Sequence, residues 1–129
     1  MSYVDGFVIP IPKNKINAYK KMASEAGKIW KKHGAVEYFE TVGEDLNPKL
    51  PEGMPSDMKG KTFPKMSNAK SHETVVFSFI VFKSRKHRDI VNKKVMKEMS
   101  EKYKDQSFSD MPFDAKKVAY GGFKAIVEL

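Results

Sequence analysis

The chain has 129 residues, 24 Lys and Arg against 16 Asp and Glu, a formal net charge of +8 and no cysteine. This length suits one domain, residues 1–129, large enough to bury a core without disulfides or metal, and the missing cysteine excludes a disulfide framework, a zinc–thiolate site and a cysteine nucleophile. The positive charge invites a polyanion, but only Arg85 and Arg88 carry the planar fork favoured for phosphate and base recognition, so nucleic acid is not the expected partner.

Tyr3 to Ile9, YVDGFVI, predicts a strand ended by the PIP of Pro10 to Pro12. The opening residues lack the leader of an export signal, and no apolar run nears the roughly 20 residues that span a bilayer. A soluble, cytoplasmic protein with no membrane partner is expected. From Asn14 the period changes: Ile16, Tyr19, Ala23, Ala26, Trp30 and His33 recur at steps of three and four, one face of a helix that Gly34 stops. Ala35 to Val42, AVEYFETV, predicts the second strand.

Residues 43–72, rich in Pro, Gly and Lys, predict a long surface loop with one helical turn near Pro64 to Asn68, acting as a mobile cover. Glu73 to Phe82, ETVVFSFIVF, is the clearest strand, apolar on both faces. Val75, Phe77, Phe79 and Val81 form one face, and Val76, Ile80 and Phe82 the other. A helix follows from Ser84, a good N-cap, to about Tyr103, with Val91, Val95 and Met99 on its inner stripe. Lys117 to Leu129 predicts the last strand, with Gly121 and Gly122 marking a bulge or a close approach to Gly6.

This order predicts an α+β fold, a ferredoxin-like βαββαβ sandwich with both long helices on one face of a four-stranded antiparallel sheet. The two-sided apolar strand then needs a second cover, and a homodimer through the sheet faces supplies it. The segments SYVDGFVIPIP, GKIWKKHGAVEY, ETVVFSFIVFKSRKHRDIVNKKVM, MPFD and YGGFK together resemble the YbaA-like bacterial family, domain of unknown function 1428. The resemblance implies the dimeric α/β-barrel superfamily and a bacterial cytoplasmic setting. It implies no reaction.

Stepping back along the last helix from Val91 by three reaches Arg88, and by three more Arg85, so both arginines are expected on the core-facing stripe. The topology brings them to the end of the domain that holds Trp30, His33, Asn92, Tyr3, Asp5 and Glu37. The functional reading is a pocket for a small anionic or aromatic molecule. Arg85 and Arg88 would take a carboxylate or phosphate, Trp30 would stack, Asn92, Tyr3 and Glu37 would line the site, and His33 or Asp5 would move a proton. The structural reading pairs Arg88 with Glu37 or Asp5, leaves Trp30 in the core and lets His33 favour the negative end of its helix. His87 and His72 are expected in solvent.

No GxxxxGK[ST], GxGxxG, HExxH or GxSxG motif is present, and the spacing of the three histidines suggests no metal. The expected function is a small-molecule-binding protein or an enzyme without cofactor, working as a homodimer. A basic nucleic-acid-associated protein and a structural or regulatory interaction module are the alternatives.

Overall fold

The computed structural model describes residues 1–107 and 110–129. The elements run β1 (Tyr3–Pro12), α1 (Ile16–Lys32), β2 (Glu37–Val42), α2 (Phe63–Met66), β3 (Glu73–Phe82), α3 (Arg85–Lys102) and β4 (Ala119–Lys124). The fold is α+β: four strands form one antiparallel sheet in the order β2-β3-β1-β4.

β1 runs through the PIP segment instead of stopping before it. β4 pairs with β1 only as far as Val8, so β1 has a single neighbour at its far end. The Lys13 N–H donates to the His72 carbonyl on the β3 side. In an alternating strand, Pro10 and Pro12 therefore lack their N–H on the opposite side, where no strand needs it. β2 begins at Glu37 rather than Ala35, and β4 is shorter than the predicted Lys117 to Leu129.

Helix ends follow local chemistry. Ser84 Oγ accepts the His87 N–H at 3.0 Å and starts α3. Gly34, at φ +112°, turns the chain out of α1 while the Ala35 N–H closes on the Trp30 carbonyl at 3.0 Å.

α1 and α3 cover one face of the sheet. Ile29, Ala35, Ile80, Phe82, Val91 and Val95 form one buried cluster, and Ile9, Ile11, Tyr19, Ala23 and Val76 form another. Each large side chain fully buried this way contributes about 1.5–3 kcal/mol. The opposite face carries Phe39, Phe77, Phe79 and Phe123, aligned with Val4 and Val81 by register. Phe39 stacks on Phe79 at 5.0 Å. The segment between β2 and β3 holds a 3-10 turn at Ser56–Met58 and α2, capped by Thr62. Phe63 of α2 lies 5.9 Å from the Phe77 ring, and at the far end of the same face Val75 and Pro10 are buried.

Candidate functional site

Asp5 is buried in β1, and its two carboxylate oxygens are taken by α3. Arg88 Nη1 donates to Oδ1 at 2.6 Å and Asn92 Nδ2 to Oδ2 at 3.3 Å. Asn92 Oδ1 in turn accepts from Trp30 Nε1 at 3.0 Å. Arg88 also reaches Asp89 through Nε at 2.8 Å, and its guanidinium lies 4.9 Å from the centre of the Tyr3 ring. Burial works against the Arg88 charge, but the Asp89 hydrogen bond and the field of Asp5 outweigh it and raise its pKa. The pairing read from the sequence is thus the one with Asp5.

The remaining predicted site residues lie elsewhere. Arg85 is exposed and has no side-chain partner among the described residues. Its place on the inner stripe is taken by His87, which accepts the Lys83 N–H at 3.0 Å and packs on Phe82 with ring centroids 6.1 Å apart. Three residues turn a helix about 60° short of a full circle, so two steps of three carry Arg85 off the stripe, whereas His87 stands four before Val91. His72 is exposed, as expected. Glu37 pairs in register with Val81 on the other face of the sheet from Asp5. His33 turns to Glu98 at 2.8 Å, a carboxylate that also takes Lys32 at 2.5 Å. Trp30 stacks on Tyr38, with centroids 6.1 Å apart and planes at 30°.

The Tyr38 ring leads to a second polar group, which the sequence reading did not single out. Between α1 and β2 lies a cleft of about 1010 Å³, bounded by Ala23, Gly27 and Lys28 on one side and Tyr38, Glu40 and Val42 on the other. Tyr19 donates its hydroxyl to Glu40 Oε2 at 2.6 Å and Tyr38 donates to Oε1 at 2.8 Å. Burial pushes the Glu40 carboxyl above its ordinary pKa, and the two phenolic hydrogen bonds offset part of that rise. Burial first, and the Glu40 charge with its hydrogen bonds next, push both tyrosine hydroxyls far up, so they keep their protons.

The local sequence explains the placement. Tyr38 and Glu40 alternate on the helix-facing side of β2, opposite Ile80 and Ser78 of β3. Tyr19 lies on the inner stripe of α1. A Cβ at Gly27 would stand 2.7 Å from the Tyr38 ring, so glycine is what lets that ring lie against the helix. Glu40 stood out less in the sequence, because β2, EYFETV, also carries Glu37 and alternates polar with apolar residues.

Two networks therefore meet back to back. Arg88, Asp5 and Asn92 hold the Trp30 indole, Trp30 supports the Tyr38 ring, and Tyr38 holds Glu40. Chemically, the Asp5 group is closed on itself, whereas Glu40 faces a cleft. Among the described residues no group of three or more His, Asp or Glu is placed to hold a metal ion, and no helix is long and apolar enough to cross a membrane.

Residues 2–115 match the family described as "Protein of unknown function (DUF1428)". The chain is 38% identical over 128 residues, 99% of each chain, to "Uncharacterized protein YbaA" of Escherichia coli (strain K12), and equally to the protein of that name from Shigella flexneri. Among solved structures, the "De novo designed protein Foldit4" superposes with a TM-score of 0.48 at 11% identity, covering 97% of this chain and 99% of that one.

Proposed function

The chain belongs to the DUF1428 family, and on that premise we propose that it is a small-molecule-binding protein that works as a homodimer. The observation that carries this reading is Glu40, a half-buried carboxylate held by two tyrosine hydroxyls at the wall of a roomy cleft. Clefts with apolar walls and a few converging polar groups are where small ligands bind. The ligand lies over Ala23 and Tyr38, within reach of Glu40. Arg88, Asp5, Asn92, Trp30 and Tyr3 form the support behind it rather than its contacts. The lysines give the surface its charge without a built anion site.

The dimer is the face-to-face pairing of a ferredoxin-like βαββαβ sandwich, a dimeric α/β barrel. The strand order β2-β3-β1-β4 with antiparallel neighbours supports the ferredoxin-like reading. The open face supports the pairing. Phe39, Phe77 and Phe123 are 47%, 44% and 63% exposed on one broad surface whose centre carries no charge. A flat apolar face is self-complementary, as a two-fold interface requires, and exposed patches of this kind mark interaction sites.

A thermal-shift screen with small aromatic acids and phenols tests the ligand seat. Ser24 is exposed on α1 and lines the cleft, so Ser24→Trp fills it without disturbing the core. Compounds that stabilise the natural chain should lose their effect on Ser24→Trp. Equal shifts in both proteins, or none from any compound, would remove the cleft as the site.

A further inference from the structure

We propose that the cleft between α1 and β2 takes a neutral hydroxyl compound, a phenol or enol, and holds it as its oxyanion, with the hydroxyl proton passing to Glu40. This rests on the cleft being the ligand seat and goes further by naming the chemistry of the ligand.

A carboxylate offers about four lone-pair sites. Two on Glu40 are filled by Tyr19 and Tyr38, which bind one oxygen each. The free capacity accepts one more hydrogen bond, and a ligand O–H supplies it. Ligands already charged fit less well. A carboxylate would meet ionised Glu40 at contact distance, and an ammonium would enter past Lys20, Lys28 and Lys31, which line the same cleft. A hydroxyl compound enters neutral, and the anion made from it sits in the field of those lysines.

Tyr19 and Tyr38 hold the Glu40 carboxylate in place at the cleft wall until the transfer occurs. When the proton moves, the O–H bond of the ligand breaks, its electron pair stays on the ligand oxygen, and a new O–H bond forms on Glu40. The total charge is unchanged and no oxidant or reductant is needed. Glu40, now neutral, holds the two phenolic donors less strongly, and they turn to the new oxyanion beside it. Burial also makes Glu40 a better proton acceptor than an exposed carboxylate. The other titratable groups at the cleft are Tyr19, Lys20, Lys28 and Lys31 on α1 and Tyr38 on β2, with Glu37 bordering it from the far face of the β2 edge, while β3 contributes Val76, which does not titrate.

The probe is 4-nitrophenol, whose phenolate absorbs at longer wavelength than the phenol. It is added to the natural chain at a pH where the free probe is neutral but Glu40, whose pKa burial raises, is still ionised. The bound probe should absorb as the phenolate. Calorimetry in two buffers of different ionisation enthalpy should show no proton released, because the proton stays on Glu40. Glu40→Gln should still bind the probe but leave it neutral. A probe that binds and stays neutral overturns the proton transfer and leaves the cleft standing. Phenolate formed with release of a proton, or formed equally in Glu40→Gln, assigns the ionisation to the lysines and overturns the role of Glu40. Failure of the natural chain to bind the probe at all overturns the ligand chemistry, and Ser24→Trp with the wider screen then decides whether the cleft falls with it.

Discussion

At the scale of single residues, Gly27 sets how closely β2 approaches α1. Alanine is the better helix former by about 1 kcal/mol, yet its Cβ would stand 2.7 Å from Tyr38. Gly27→Ala should therefore destabilise the protein by about 1–3 kcal/mol through overpacking, measured as a lower urea midpoint. The two arginines separate in the same assay. Arg88→Gln strands the buried Asp5 carboxylate and should cost about 3 kcal/mol, the low end for a broken buried pair. Arg85→Gln removes an exposed side chain and should change stability by less than about 0.5 kcal/mol. Glu40 gives a pH signature of definite sign. Its folded pKa stands above the ordinary value of 4.5, so between those two values the folded state holds more proton than the unfolded state. The stabilising contribution is complete below the ordinary value and is lost as pH rises through the folded one. Urea midpoints of the natural chain should fall across that window, and Glu40→Gln should flatten the fall. Asp5 was legible because the topology brought the start of β1 to the end of the domain where Arg88 stands at the start of the last helix. Glu40 was missed because β2, EYFETV, already carries Glu37 and reads as a half-exposed strand; the register Glu40 to Ser78 puts it on the helix side, against Tyr19 of α1.

At the scale of elements, sequence period carried most of the fold, and it erred where a local rule met a non-local one. Val91, Val95 and Met99 fixed the inner side of α3, but extending the stripe by steps of three accumulates rotation, so the first turn sets His87, half-buried against Phe82, where Arg85 was expected. Pro10 and Pro12 read as breakers because a strand interior normally needs their N–H; the end of β4 at Val8 removes that need, and no local pattern reveals where a partner strand stops. The segment from Gly43 to His72 divides in two. Around Lys49, Lys59 and Lys61 the chain is exposed and its backbone bonds are to close neighbours. Lys65 lies within α2, and the Lys70 N–H is held by Glu73 at 2.8 Å. Limited trypsin digestion should cut first after Lys49, Lys59 or Lys61, read by mass spectrometry of the early fragments. First cleavage after Lys65 or Lys70 would mean that α2 is not anchored on Phe77.

At the scale of the whole molecule, the two faces of the sheet have different solutions. The helix side is filled by side chains from α1 and α3, with its acids answered by Arg88, Asn92, Tyr19 and Tyr38. The other side leaves Phe39, Phe77 and Phe123 in contact with water apart from the cover that Phe63 gives Phe77. The outer faces of α1 and α3 are rich in exposed lysines and match it poorly, whereas a second sheet offers the same apolar surface, and two such faces pack about 10 Å apart with their side chains interleaved. Light scattering should accordingly give the mass of two 14.7 kDa chains. Phe77→Asp is the informative variant because Phe77 is 44% exposed in one chain. In an isolated protomer the new carboxylate can stay hydrated, so the fold survives; in the dimer it would be buried without a partner, at a cost of several kcal/mol. The variant should therefore run as a monomer with unchanged far-ultraviolet circular dichroism. A natural chain that stays monomeric at micromolar concentration, or a Phe77→Asp variant that still doubles its mass, would refute pairing through this face.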